Sequence, residues 1–255
     1  MNKEKKPLLM AMIQASTPEN AIAAVRNAVF DGADSFGLQV ESLDNAYRSM
    51  QNICSILSVM GNRTVYVTNY RTSYNEGKND DELAKGLLHL ADCGADIIDV
   101  MGDMFCRDEF GMTYDENAVN EQKKLIRQIN DKGKSVLMSA HVPWFLSAEE
   151  VIQMAAAQQA RGADIAKIVT VAETETEEME NLRITALLKH ERDIPYLFLS
   201  IGSHCKIHRM LSPILGSFAC LCVQSHDRSS TKAQLVLSSA KAVLDNFDCM
   251  PDREF

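Results

Sequence analysis

The chain has 255 residues, 46% of them apolar and 24% charged, with a formal net charge of −9. This balance excludes a disordered or fibrous chain, and the acidic charge argues against sequence-independent nucleic-acid binding, which requires a basic footprint. The length suits one large α/β domain or two small ones.

The basic start, Met1 to Lys6, precedes an apolar run at 8–13 that is too short for a signal-peptide core. No run approaches the roughly 18 residues of a membrane span. Seven cysteines at irregular spacing, several inside apolar runs, read as small buried hydrophobes in a reducing compartment. The expectation is a cytoplasmic protein with no membrane partner.

Short apolar runs alternating with helical periodicity predict eight strands, near 8–13, 34–39, 65–70, 96–101, 135–140, 164–169, 196–201 and 218–223. Helical segments are predicted between them at 18–30, 80–93, 116–132, 148–161 and 177–191. Three segments echo one another: Asp31-Gly32-Ala33-Asp34, Cys93-Gly94-Ala95-Asp96 and Arg161-Gly162-Ala163-Asp164. Each puts Gly where a helix would end, because Gly takes the left-handed C′ conformation without cost. Their spacing is roughly twice a βα unit of about 30 residues. Eight strands alternating with eight helical slots predict a single α/β domain, a (β/α)8 TIM barrel over 1–255, with 1–7 and 248–255 as flexible ends. The runner-up, an open doubly wound sheet, lacks its Gly-rich loop: the first strand is followed by Gln14-Ala15-Ser16-Thr17-Pro18. The acid-rich 173–180 stretch reads as a solvated helix start.

In this architecture chemistry belongs at the C-terminal strand ends. Lys167 is the most informative residue there, a lysine inside the apolar Ile165-Ala166-Lys167-Ile168-Val169. Burial lowers an amine's pKa and favours the neutral nucleophile that forms Schiff bases with ketones; the alternative is a lysine snorkelling to solvent. His141 ends the neighbouring strand and suits proton abstraction beside an imine carbon. Arg71, Arg209, Ser230 and Gln234 share the rim and could form an anion clamp, and with no Gly-rich phosphate cradle a carboxylate is favoured. A metal site is the competing reading, from His204, Cys205 and His208, with Cys220 and Cys222 on one face of the eighth strand. The spacing matches no standard zinc pattern, so no metal is expected.

At these residues the chain resembles the type I 3-dehydroquinate dehydratases, from about Leu8 to Leu244. Tyr70-Arg71-Thr72 through Glu76-Gly77 is similar to the family's Arg-Thr…Glu-Gly stretch, Ser139-Ala140-His141 to its Ser-Asn-His, and Gly162 through Ile168 to the segment carrying its Schiff-base lysine. Ser200-Ile201-Gly202 through Arg209 resembles Met-Gly…Ser-Arg, and Ser230 through Gln234 resembles the closing loop Ser-Ala-Pro-Gly-Gln. The resemblance implies catalysis by Lys167 and His141 and a carboxylate grip by Arg209. It implies dehydration of 3-dehydroquinate or a related β-hydroxy keto acid. The iminium would be the electron sink, so no metal or organic cofactor is required. Members of the family often dimerise, and a homodimer is the assembly the resemblance points to.

The departures lie in two strands. The family's Glu-Trp-Arg on strand 2 is replaced at its charged positions by Gly37 and Gln39, with Gln39 kept as a substrate-facing candidate. Met101 stands where a glutamate orients the histidine, with Asp99 and Asp103 on the same strand face as substitutes. Altered hydroxyl recognition implies a changed or broadened substrate. Two rivals stay open: a class I aldolase, and a non-catalytic ligand-binding or sensor protein on a decayed scaffold.

Overall fold

The computed structural model describes residues 7–191, 193–227 and 230–248, with Asp248 in backbone only. Apart from Pro7 and the Asp248 backbone, the flexible ends expected from the sequence lie outside the described residues. The strands are β1 (Leu8–Ile13), β2 (Ser35–Gln39), β3 (Thr64–Thr68), β4 (Ile97–Met101), β5 (Ser135–His141), β6 (Ile165–Val171), β7 (Tyr196–Ile201), β8 (Ala219–Val223) and a two-residue β9 (Leu235–Val236). The helices are α1 (Pro18–Phe30), α2 (Met50–Ser58), α3 (Asp80–Asp92), α4 (Glu116–Asp131), α5 (Ala148–Ala160), α6 (Glu175–Glu191), α7 (Lys206–Leu211) and α8 (Leu237–Asp248). The eight expected strands and the (β/α)8 barrel are therefore observed; β9 was not expected.

The Gly-Ala-Asp repeat does two jobs. Gly32, Gly94 and Gly162 have φ of +91°, +105° and +100° and end α1, α3 and α5, the conformation that favours glycine. The aspartates then tie the next strand to its neighbour. Asp34 accepts from the Leu9 N–H at 2.7 Å, Asp96 from Val65 at 2.9 Å and Asp164 from Val136 at 2.8 Å. Helix starts are secured by side chains as well: Asn79 with Glu82, and Ser147 with Glu150, form reciprocal capping boxes.

Strand alternation divides the apolar residues between two layers. Met10, Met12, Ile97, Leu137, Ile165, Val169, Leu197, Leu199 and Leu221 fill the barrel interior. The strand residues of the opposite face, among them Phe36, Val67, Ile98, Val136, Ile168 and Phe198, pack outward with Val25, Leu87, Leu125, Val151 and Ile184 of the helices. Each fully buried side chain of this size stabilises the fold by about 1.5–3 kcal/mol.

The parallel ladder runs β7-β6-β5-β4-β3-β2-β1-β8-β9. Among the described residues no ladder joins β7 to β8. The Phe218 N–H donates to the Tyr196 carbonyl at 2.7 Å and holds this seam at its base. Higher up, the Ile201 carbonyl accepts from Ala172 on the β6 side. The Ser200 carbonyl, one residue earlier, therefore faces β8, and it accepts the Nε–H of Arg209 at 2.6 Å.

Candidate active site

Lys167 sits in the middle of β6 and faces the barrel interior between Ile165 and Val169. It is only 4% exposed. Its Nζ donates to Tyr70 Oη at 2.6 Å, to Tyr66 Oη at 2.8 Å and to Asp99 Oδ2 at 3.2 Å. An ammonium has three N–H bonds, and each has an acceptor here. Tyr66 and Tyr70 both donate to the same Asp99 oxygen, Tyr70 at 2.5 Å, and Ser139 Oγ donates to the other at 2.5 Å. Register assembles the group: Ser139 lies beside Lys167 across β5–β6, and Tyr66 lies beside Ile97, two residues before Asp99.

Burial lowers the Lys167 pKa below its ordinary 10.5, and the Asp99 carboxylate opposes that shift. Burial first, and the Asp99 charge second, raise both phenols well above their ordinary 10. They are neutral hydroxyls, able to accept one proton while giving another.

His141 ends β5 with its side chain exposed to solvent at the barrel mouth. Its ring meets the Tyr70 ring edge-on, with centroids 5.3 Å apart. The surrounding protein lowers its pKa below the ordinary 6.5, with the Lys167 ammonium adding to the effect and Asp99 opposing it. The imidazole is therefore neutral near pH 7, the form a general base needs. His141 borders a cavity of about 260 Å³ together with Tyr70, Arg71, Thr72, Met101, Asp103, Asp108, Gly111 and Ser139. Neither proposed substitute for the missing glutamate bonds to His141. Asp99 serves Lys167 and the hydroxyls, and Asp103 pairs with Arg71.

Arg71 follows β3 in a loop and lines the same cavity, but it is already paired. It binds Asp80 through two N–H bonds at 2.7 and 2.6 Å, Asp103 Oδ1 at 2.8 Å and the Asp103 carbonyl at 2.9 Å. Four of its five N–H donors are used. Arg209 is different: it is 5% exposed, and among the described residues it has no carboxylate partner. Burial pushes its pKa down. A buried unpaired cation is costly, so this guanidinium is suited to an anion.

The mount of Arg209 is built from its neighbour. His208 is fully buried, with Nδ1 at 2.8 Å from Ser200 Oγ and Nε2 at 3.0 Å from Thr185 Oγ1. The Thr185 hydroxyl donates to the Asn181 carbonyl, so Nε2–H donates to Thr185 and Nδ1 accepts from Ser200. That neutral tautomer agrees with a pKa lowered to about 3 by burial. Glu178 accepts the N–H groups of Ile207 and His208 and completes the anchor of α7 on α6.

The remaining expected residues are distributed around the rim. Gln234 is buried, and its Oε1 has no hydrogen-bond partner among the described residues. Its backbone carbonyl accepts from Lys206 Nζ and His226 Nε2, both at 2.9 Å. Ser230 is engaged with Asp227 in a turn. Gln39 Oε1 accepts from Gln14 at 2.5 Å, and Gln14 also bonds Thr231, which ties β1 and β2 to the loop before β9. The structure thus groups Lys167 with Asp99 and Ser139, puts His141 and Arg71 on one cavity, and leaves Ser230 and Gln39 satisfied by protein. Sequence reasoning missed Tyr66 and Tyr70 as lysine partners. Their i, i+4 spacing on one strand face was the available signal, because a buried phenol requires a partner.

A (β/α)8 barrel with a hydrogen-bonded lysine on a central strand and a histidine at its mouth is the class of protein these features define. The type I 3-dehydroquinase family model matches residues 9–248, and the chain belongs to that family. No curated protein matches it by sequence. Among solved structures it is similar to the 3-dehydroquinate dehydratase of Geobacillus kaustophilus HTA426 (TM-score 0.81, 16% identity, 97% of this chain and 93% of that one). It is also similar to the type I enzyme of Clostridium difficile with covalently modified comenic acid (TM-score 0.79, 18% identity, 96% and 93%). A third is the 3-dehydroquinate dehydratase of Enterococcus faecalis (TM-score 0.74, 20% identity, 96% and 95%). At these identities the likeness is one of fold.

Proposed function

We propose that the protein is a Schiff-base-forming carbon–oxygen lyase acting on a β-hydroxy keto acid, with 3-dehydroquinate as the first candidate. The observation that carries this reading is the Lys167 amine, enclosed in the barrel with its pKa lowered and His141 on the adjoining strand. Lys167 attacks the substrate ketone and forms a protonated imine, releasing water. His141, neutral at the working pH, removes a proton from the adjacent carbon, and the iminium accepts the electron pair. The β-hydroxyl departs with a proton returned by His141. Hydrolysis of the conjugated imine frees the enone and the amine. Arg209, which lacks a carboxylate partner among the described residues, grips the substrate carboxylate, and Gln234 Oε1 accepts from a substrate hydroxyl.

The test is incubation with 3-dehydroquinate and borohydride, followed by mass spectrometry. Reduced substrate on Lys167 and loss of activity are expected. Label on a different lysine, or none during confirmed turnover, overturns the reading.

A changed substrate has its own support. A side chain at Gly37 would run into Met12, whose Sδ lies 2.2 Å from a Cβ built there. Arg71 is held by Asp80 and Asp103. The strand 2 wall that the resemblance assigns to substrate contact is thus filled at Gly37, and Arg71, expected in the anion clamp, is paired within the protein. A higher kcat/KM for another β-hydroxy keto acid than for 3-dehydroquinate is the outcome this favours.

A further inference from the structure

Imine formation moves more protons than His141 is placed to handle. Starting from the ammonium and a ketone, the protonated imine keeps one of the three amine protons. The other two leave with the carbonyl oxygen as water. Each must travel from Lys167 Nζ to that oxygen, first to make the carbinolamine and then to expel its hydroxyl. Among the described residues His141 makes no side-chain hydrogen bond to Lys167 or Asp99, and its ring touches the group only through the edge of Tyr70.

We propose that Tyr70 is a catalytic residue of this imine chemistry, its phenol carrying protons between the Lys167 nitrogen and the Asp99 carboxylate as the imine forms and is hydrolysed. The proposal rests on the reading that Lys167 forms an imine. The path is continuous: Lys167 Nζ–H to Tyr70 Oη is 2.6 Å, and Tyr70 Oη–H to Asp99 Oδ2 is 2.5 Å. As an ammonium proton moves to the phenol oxygen, the phenol's own proton moves to Asp99. The result is a neutral amine, an intact phenol and a protonated carboxyl. After attack, Asp99 returns its proton to the phenol oxygen while the phenol's own proton passes to the carbonyl oxygen, which becomes the carbinolamine hydroxyl. A second round removes the next amine proton and releases water. No phenolate is formed at any stage.

Tyr66 has a similar pair of bonds, yet geometry separates the two phenols. Tyr66 is 1% exposed and packed among Met10, Met12 and Ile97. Tyr70 lines the cavity beside His141 and Ser139. Only Tyr70 therefore faces both the amine and the space where a ketone enters. Ser139 Oγ, 3.4 Å from Tyr70 Oη and 2.5 Å from Asp99, keeps the acceptor oriented.

The experiment is single-turnover trapping of the imine with cyanoborohydride and 3-dehydroquinate in the full-length protein, read as the rate of labelling at Lys167. In Tyr70→Phe labelling slows by on the order of 10²-fold or more at saturating ketone, the range for a proton-transfer group, while Tyr66→Phe, which removes one acceptor of the amine but no link to the cavity, slows it by a clearly smaller factor. His141→Ala still labels but no longer exchanges the α-proton. Replacement of Tyr70 by 3-fluorotyrosine, which keeps the packing and acidifies the phenol, shifts the pH profile of labelling. Wild-type labelling in Tyr70→Phe, equal slowing in both phenylalanine variants, or an unmoved pH profile in the fluorinated protein overturns the carrier role alone. A wild type that turns over 3-dehydroquinate or another β-hydroxy keto acid and labels nowhere with it overturns the Schiff-base reading and this proposal with it.

Discussion

Asp99 has four donors on two oxygens: Lys167 and both phenols on one, Ser139 on the other. It is the counter-charge of the buried amine and the acceptor for three hydroxyls. Removing it leaves a buried cation and three displaced donors, so Asp99→Ala is expected to destabilise the fold by about 3–5 kcal/mol. Asp99→Asn, which keeps some acceptor capacity, costs less. Denaturant titration of the two variants checks this; equal losses would mean that the lost charge alone sets the cost and that the acceptor kept by asparagine contributes nothing. Lys167 was legible in the sequence because a cation in an apolar strand has few explanations. The phenols were not, because tyrosine is an ordinary strand residue and nothing local says which way its hydroxyl turns. Nor was the pairing of Arg71, whose partners sit on α3 and in the loop after β4.

Between elements, the close fit of β1 against β2 explains the glycine in β2. A Cβ on Gly37 would lie 2.2 Å from Met12 Sδ, 2.6 Å from Met12 Cε and 3.1 Å from Tyr66 Cδ1. Gly37→Ala is expected to cost about 1–3 kcal/mol by overpacking. In a Met12→Ala background, where the obstructing thioether is gone, most of that cost disappears. Additive losses in this double-mutant cycle would show that the two residues do not compete for space. The α6–α7 junction carries a pH dependence. His208 holds its proton poorly in the folded state, with a pKa of about 3 against an ordinary 6.5. Between those values the unfolded chain binds the proton that the folded chain refuses. Stability from this group is full above pH 6.5 and falls as the pH drops, by up to about 1.4 kcal/mol per unit. His208→Gln should flatten that acid limb in chemical denaturation across the pH series; an unchanged slope counts against the neutral tautomer. The strands and helices themselves were legible because their periodicities are local. The aspartates of the Gly-Ala-Asp repeat were visible as a pattern, while their role in joining neighbouring strands requires the sheet to be seen.

For the whole molecule, the eightfold alternation was readable, but the unequal closure of the barrel was not. Ladder formation depends on how two ends of a long chain meet, and no local signal records that β7 and β8 touch through Phe218 and Tyr196 instead of a ladder. Backbone hydrogen bonds shared across a sheet resist opening together, so the line without them has the lowest local stability. Amide hydrogen exchange along β7 and β8 is therefore expected to outpace exchange in β4, β5 and β6. Arg209→Ala, which deprives the Ser200 carbonyl of its donor, should accelerate exchange at β7 and β8 and leave β4 and β5 unchanged; uniform protection around the barrel would contradict this. A side chain suited to an anion is thus also a fastener of the wall. Occupancy of the mouth by a carboxylate would immobilise that fastener, so the breathing of the barrel along one line becomes a reporter of ligand binding.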